Sequence, residues 1–389
     1  MDGPIFVYPS RKEIIPMRKI LAILLAVCTL LALTACGKKA EETVPTTVPT
    51  TAPTTEPTTA PTTKPTEAPT TAPTEPGPTD PLTGETMKED LSQVRPYAVM
   101  INNIDVAQPQ CGISKASMIF EVPVEGYITR MLALYTDISD AGKLGSMRSA
   151  RPCFVSICRA YDSIFVHAGG SNKAYYDLWN NDIDRMDGVM GGSDAAYFYR
   201  DPSRQAYGIE HSMFIDSEDV LKVTDLMGYR TTLSKDYPGF GLRFTEDPVP
   251  KSGTAASYID IDFRGGKHSK LTLEKNGLYS MDQYGDDYID GNTDEEVLFK
   301  NVLILRAEMW DGYDAPDEST PRVYMTLTGE GTGYFACGGK MENIYWTRAD
   351  EDSPFQYFLD EGHTKPLSLG VGTSYVAFIS EYGDAPYCE

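Results

Sequence analysis

No part of this chain stays apolar for the roughly 20 residues that a helix needs to span a bilayer comfortably. No two of its seven cysteines stand in C-x-x-C spacing, so the usual sequence sign of a zinc site is missing and no metal is expected. Apart from Cys28 and Cys36 there are five, Cys111, Cys153, Cys158, Cys337 and Cys388. An odd number cannot all pair internally. In a helix over 152–160, Cys153 and Cys158 point to different faces, so few or no disulfides are expected. There is no Gly-x-Ser-x-Gly elbow of a serine hydrolase. An excess of basic charge is also lacking. The net charge is −22, residues 1–79 are balanced, and the whole imbalance falls on residues 80–389. Such a surface repels phosphate backbones, so no nucleic-acid partner is expected.

What is present begins with a short leader. Met17-Arg18-Lys19 is basic, and Ile20–Leu33 is apolar except for Thr29. That run suits the core of a signal peptide. Leu33-Thr34-Ala35-Cys36 then has the order of a lipobox, in which the cysteine becomes the lipid-bearing N-terminus. Residues 17–36 are expected to be a lipoprotein signal peptide. Residues 1–16, with Asp2 and Glu13 ahead of the basic start, are expected to be an over-called start. The chain is thereby expected on the outer, extracytoplasmic face of a cell membrane, attached through lipid on Cys36.

Residues 37–79 form the next unit. From Ala40 to Thr79 there is no aromatic residue, and Pro45, Pro49, Pro53, Pro57, Pro61, Pro65, Pro69 and Pro73 recur every fourth position. Each proline fixes φ and removes a donor, so neither helix nor sheet runs through. A disordered, extended tether is expected, reaching roughly 120 Å at ~3.1 Å per residue. Its Thr/Pro composition also fits O-glycan acceptors.

Residues 80–245 mix helix and strand signals. Arg95–Asn102, Met118–Val124 and Thr129–Thr136 are expected strands, the last two joined as a hairpin through Gly126. Pro152 opens a helix to Ala160, Ser171–Asn180 is a second, and Asp216–Met227 a third that stops at Gly228. A linker lies near Glu246–Thr254. Residues 250–389 lose helix signals. Tyr258–Phe263 alternates at period two, and Asn301–Arg306, Arg322–Leu327, Asn343–Thr347 and Ser374–Ser380 are further strands. Gly329–Gly333 is expected to be a hairpin loop. Asp290–Glu296 has EF-hand-like oxygens without the glycine at the sixth position, so a solvated acidic turn is expected. Tyr345-Trp346 and Tyr357-Phe358 are expected in the core rather than as a sugar platform. The class is α+β: an N-terminal mixed α/β domain, then a mainly antiparallel β domain.

Six segments occur in a fixed order: Asp80-Pro-Leu-Thr-Gly84, Arg95–Asn103, Val124–Arg130, Arg148-Ser-Ala-Arg-Pro152, Tyr161–Ser171 and Phe198–Arg204. Together they resemble the YerB-like family of bacterial lipoproteins. The resemblance implies two domains and a lipid anchor, and implies no activity. The chain departs from the pattern at Cys111, where a small polar residue is expected, and at Tyr207–His211, a looser form of a Pro-His-Asn-like turn.

Glu125, Arg130, Arg148, Arg151, His167, Arg200, Asp201, Arg204 and His211 are polar residues beside apolar strands or Gly-rich turns. Guanidinium forks match carboxylate and phosphate, so these nine are the candidate ligand pocket. Ala168–Ser171 at a helix start offers amide donors to an anion, but lacks the lysine and glycine spacing of nucleotide-binding loops, and no cofactor is expected. The competing reading is a set of structural ion pairs. Glu121 and Glu125 share a strand face about 13 Å apart, wider than a glycosidase pair. The expected function is a non-catalytic binding or accessory protein of the cell envelope, with a cell-wall or envelope-protein partner. The alternatives are an envelope hydrolase using the Arg/His/Glu group in 125–211, and a solute-binding lipoprotein of a transporter.

Overall fold

Strands buried on both faces read as continuous apolar runs, and three such runs build the centre of this protein. They are β1 (Tyr97–Asn103), β2 (Met118–Val124) and β3 (Ile128–Tyr135). Tyr97, Val99, Ile101, Ile119, Met131 and Ala133 face one hydrophobic cluster; Ala98, Met100, Phe120, Leu132 and Leu134 face another. The alternation is what a pleated strand demands when each side meets its own core. This computed structural model describes residues 77–315 and 318–389. The expected start, signal peptide, lipobox and tether as far as residue 76 lie outside the described residues; at the end expected for the tether, Thr79 already bridges to Thr86.

Further strands of the first half are β4 (Lys143–Gly145), β5 (Ile164–His167), β6 (Arg185–Asp187), β7 (Tyr199–Arg200) and β8 (Met213–Asp216). Three α-helices accompany them: α1 (Pro152–Ala160), α2 (Asn172–Asn180) and α3 (Ser217–Met227). Pro152 sits in the first turn of α1, where its missing donor is harmless. The Ser171 hydroxyl accepts from the Ala174 amide and caps α2. Gly228, in the left-handed region, ends α3. Helices α1 and α2 place Phe154, Ile157, Ala174 and Leu178 in the second cluster; α3 places Val220 and Val223 in the first.

Among the described residues, the regular elements of the second half are all strands. Its main elements are β9 (Tyr258–Arg264), β10 (Lys267–Leu273), β11 (Tyr279–Gln283), β12 (Asn301–Ala307), β13 (Gly329–Cys337), β14 (Lys340–Arg348) and β15 (Ser374–Ser380). An 11-stranded mixed sheet runs from Thr254–Ala255 through β14, β13, β12, β15, β2, β3, β1 and β5 to β6, with Gln356–Phe358 beside β14. Strands β9–β11 belong to a separate antiparallel sheet, whose Ile259, Ile261, Leu271 and Met281 complete the first cluster. The described residues are thus mostly strand with three α-helices, and the C-terminal part is mainly antiparallel. The sequence segments 80–245 and 250–389 share the large sheet, because β15 runs parallel beside β2 in one compact unit. No helix among the described residues is long and apolar enough to cross a membrane.

One element differs from its sequence reading. Gly329–Gly333 is the first half of β13, paired residue by residue with Ile344–Arg348, and no hairpin loop. A Cβ on Gly331 would lie 2.5 Å from the Trp346 indole, and one on Gly333 2.6 Å from the Ile304 carbonyl oxygen. These glycines permit close approach across the sheet. Trp346 and Tyr357 are buried, as their place in the core requires. Asp290 is buried too, and its carboxylate accepts from the amides of Gly112 (3.0 Å) and Ser114 (2.8 Å) and the Ser114 hydroxyl (2.6 Å). Asp290 itself is thus a buried tie between the halves, while Asn292–Glu296 after it form the exposed acidic turn expected.

Candidate functional site: a cavity at the carboxyl ends of two parallel strands

Strands β1, β5 and β6 run parallel. In open sheets of this kind ligands settle outside the carboxyl ends of the strands, where the connecting loops splay. Strand β5 ends at His167 and turns through Gly169, whose φ of 81° is open to glycine at little cost. Strand β6 ends at Asp187. That carboxylate accepts from the Gly169 amide (2.8 Å), the Val189 amide (2.9 Å) and the Tyr175 hydroxyl (2.7 Å). Burial would raise the Asp187 carboxyl, but the neighbouring His167 and these donors outweigh it and hold it below the usual range. One buried carboxylate therefore fixes the ends of β5 and β6 and the first turn of α2.

Above this floor lies a cavity of about 340 Å³. Its wall carries Arg148, Arg200 and Glu210 beside apolar Met147, Met190 and Met213. Arg148 is partly buried, and its side chain makes one long hydrogen bond, from Nη1 to the Glu210 carbonyl at 3.3 Å. Its Nε is buried without a partner among the described residues. Burial lowers the Arg148 pKa, with Glu210 opposing. Arg200 donates to the Ile209 carbonyl and, at 3.5 Å, to the Ser212 hydroxyl. Neither guanidinium pairs with a carboxylate among the described residues.

Of the nine residues expected from the sequence, Arg148 and Arg200 line this cavity. Glu125, Arg130 and Arg151 gather elsewhere, at the turn between β2 and β3. Arg151 grips Glu125 through Nε (2.9 Å) and Nη2, Arg130 reaches it at 3.3 Å, and Arg322 from the distant second half joins at 3.1 Å. Burial would raise the Glu125 carboxyl, yet the Arg151 hydrogen bond and the charges of Arg130 and Arg151 hold it at about 2. The same arginines donate to the carbonyls of Ser149 and Ala150. The network therefore anchors the loop that presents Arg148. Asp201 pairs with Lys143. Arg204 donates to the carbonyls of Gln108 and Pro109, both at 2.8 Å.

The histidines flank the cavity without lining it. His167 is fully buried and stacks on Phe165 with ring centroids 4.8 Å apart. Its Nδ1 lies 2.8 Å from the Gly169 carbonyl, so Nδ1 carries the proton, and Nε2 has no partner among the described residues. Burial lowers its pKa. His211 Nδ1 lies 2.9 Å from the Asn102 amide nitrogen, and Nε2 is 3.6 Å from the Glu210 carboxylate. Burial and Arg148 lower the pKa of His211, against Glu210.

Most of the amide donors expected to face an external anion at the start of α2 are already engaged: those of Ala168, Gly169 and Ser171 donate to the Arg148 carbonyl, Asp187 and the Ala150 carbonyl. The Lys173 amide donates to Asp314 at 2.8 Å, and Ser171 takes the Ala174 amide. The chain supplies its own anion there. Glu210, Tyr175 and the three methionines were not legible as site residues. Glu210 shares a short 3₁₀ turn with His211, the residue of that turn which the sequence marked, and nothing in the sequence marked the methionines. Among the described residues no group of three His, Cys, Asp or Glu is placed to hold a metal.

Comparison with known proteins agrees with the fold. Residues 82–230 match the model of the N-terminal domain of a protein of unknown function, DUF3048, and residues 259–376 match its C-terminal domain. The chain is 31% identical over 233 residues to the Bacillus subtilis (strain 168) protein named "Putative lipoprotein YerB", covering 58% of this chain and 66% of that protein's own length. The crystal structure of YerB from Bacillus subtilis has the same fold, with a TM-score of 0.67 at 24% identity, over 80% of this chain and 99% of that one. With both domains present in order and a curated relative across them, this chain belongs to the YerB-like family, the DUF3048 proteins of unknown function.

Proposed function

We propose that this protein is an extracytoplasmic lipoprotein, held to the cell membrane through Cys36, that binds a component of the envelope without transforming it. The observation that carries the binding half is the cavity at the carboxyl ends of β5 and β6. Its size, about 340 Å³, falls in the range of small-ligand sites. The groups that a nucleophilic enzyme would use are engaged in the fold. Ser171 caps α2, burial pushes the Cys153 thiol up to about 12, and His167 gives its Nδ1 proton to a carbonyl. No hydrogen bond joins Ser149 to either histidine among the described residues. The continuous sheet across both halves also gives no support to two hinged lobes of a transporter's binding protein. The anchoring half is supported by the lipobox order and by the name of the Bacillus subtilis relative.

Affinity capture from envelope extract tests the binding half, using the full chain beside Met190→Glu. Met190 lines the cavity and is 64% exposed, so the substitution spares the core. The wild type is expected to retain a component, chemically unchanged, that the variant loses. Equal recovery by both would overturn the reading. For the anchor, Cys36→Ala is expected to move the protein out of the membrane fraction; unchanged membrane retention would overturn that half.

A further inference from the structure

The acidic surplus of this chain, 56 Asp and Glu against 34 Lys and Arg, makes a carboxylate easy to find. Buried arginines elsewhere have found one, or a full set of acceptors. Arg95 meets Asp184, while Arg130, Arg151 and Arg322 share Glu125. Fully buried Arg348 donates to the carbonyls of Leu327, Ser353, Ser156 and Glu351 and to the Ser156 hydroxyl. Arg148 and Arg200 are only partly buried and, like Arg204 and Arg306, pair with no carboxylate among the described residues, but these two line one cavity. A guanidinium withdrawn from water without a counter-charge is unfavourable unless something else supplies one. Among the lining residues Glu210 is the one acid, and its carboxylate stands beside His211 Nε2 at 3.6 Å. Two guanidiniums and one carboxylate line the cavity, and the second carboxylate near it, Asp187 in the floor, already has its oxygens taken up by Gly169, Val189 and Tyr175.

The rest of the lining includes soft apolar side chains. Met147, Met190 and Met213 are among them, and methionine side chains adapt to irregular apolar shapes. We propose that this cavity binds a small amphiphilic anion, its phosphate or carboxylate group held by Arg148 and Arg200 and its apolar body lying on Met147, Met190 and Met213. The proposal rests on the binding reading above and narrows it to one ligand chemistry. The Glu125 network then acquires a use beyond stability: by fixing the carbonyls of Ser149 and Ala150 it holds Arg148 at the cavity wall.

Methionine methyl NMR on the full chain, extracted in a non-ionic detergent, tests this directly. The probes are hexyl phosphate, hexanoate, hexanol and dihexanoyl-phosphatidylglycerol. The methyl signals of Met147, Met190 and Met213 are expected to shift and saturate with an anionic probe and not with hexanol. Arg148→Gln with Arg200→Gln is expected to weaken that binding about tenfold or more, the usual effect of removing hydrogen bonds to a charged group. The other methionine methyls report whether each variant keeps its fold, and Arg200→Gln alone serves if the double variant does not. Tighter binding of the phosphatidylglycerol probe than of hexyl phosphate assigns the anion to a lipid headgroup; the reverse assigns it to a free small molecule. Hexanol shifting these methyls as strongly as the anions, none of the probes shifting them, or variants that bind as well as wild type would overturn the anion proposal. If capture from envelope extract still depends on Met190 in that case, the binding reading stands and the ligand chemistry alone is wrong.

Discussion

The Glu121 carboxylate and the Lys267 ammonium lie 3.2 Å apart, and neither side chain has more than 3% of its surface exposed. Glu121 belongs to β2 in the large sheet, Lys267 to β10 in the smaller one, so the pair ties the two sheets together. It is closed on every side. Thr129 (2.6 Å), Asn103 (3.0 Å), Ser269 (2.9 Å) and Tyr375 (2.6 Å) donate to the carboxylate, while Lys267 donates to Gln283 (2.6 Å) and Ser269 (2.9 Å). Glu121 is therefore a structural group, which removes it from any glycosidase pair with Glu125.

Removing one partner of such a pair strands the other charge in a medium of low dielectric. Lys267→Met is expected to destabilise the fold by about 3–5 kcal/mol, and Glu121→Gln in that background to restore part of the loss. Urea unfolding of the wild type, both single variants and the double variant checks this. Additive single effects would show that the two groups act independently.

The Glu125 cluster makes stability depend on acid. The folded carboxyl titrates at about 2 against an ordinary value of 4.5. A carboxyl depressed on folding contributes stability that is full above its unfolded pKa and is lost as pH falls through the folded one. The window is therefore from about 4.5 down to 2. Each tenfold change in proton affinity is worth ~1.4 kcal/mol, so the amount at stake is roughly 2–3 kcal/mol after a discount for partial exposure. Glu125→Gln is expected to be less stable at pH 7 and to show a flatter decline across that window. Parallel pH profiles of the two proteins would sink this account.

Helices and central strands were legible because their signals are local. Pro152, Ser171 and Gly228 mark helix ends by the chemistry of the backbone donors and acceptors there, and the apolar runs at Tyr97, Met118 and Ile128 need no partner to be recognised. What was not legible depends on distant residues. Glu125 lies close in sequence to Arg130, but its environment also needs Arg322 from the other half of the chain. The start of α2 looked like an open anion site until Asp314, far along the sequence, filled it. The nine candidate residues share a composition, and composition cannot say that two line a cavity while the rest hold the fold around it.

Gly329–Gly333 illustrates the same limit and yields a prediction. Glycine marks turns and close contacts alike, and a single sequence does not separate them. Gly331 is not in the left-handed region, so its conformation alone would accept alanine. Its Cβ, however, would sit 2.5 Å from the indole of Trp346, which is buried and donates from Nε1 to the Arg306 carbonyl at 3.0 Å. Gly331→Ala is expected to cost about 1–3 kcal/mol through overpacking. Gly329→Ala meets nothing within 4 Å, though its φ of 93° adds strain of its own. Adding Trp346→Phe to Gly331→Ala should relieve part of the clash; thermal unfolding that shows no such rescue would mean that the contact is not what the glycine serves.

The five described cysteines are free, and they divide by access. Burial raises the thiols of Cys111, Cys337 and Cys158, and pushes Cys153 up to about 12. The thiolate is the nucleophile, so each of these four is protonated and shielded in the native protein. Cys388 differs: it is partly exposed near the end of the chain, with Sγ 3.6 Å from the Thr254 hydroxyl. Iodoacetamide at pH 8 followed by peptide mapping is expected to label Cys388 in the native state and the other four only after denaturation. Native labelling of Cys153 at the rate of Cys388 would mean that α1 opens readily. Because α1 follows directly from the Arg148–Arg151 loop, such opening would also loosen the wall of the cavity, and the fixed Arg148 on which anion binding depends would lose its support.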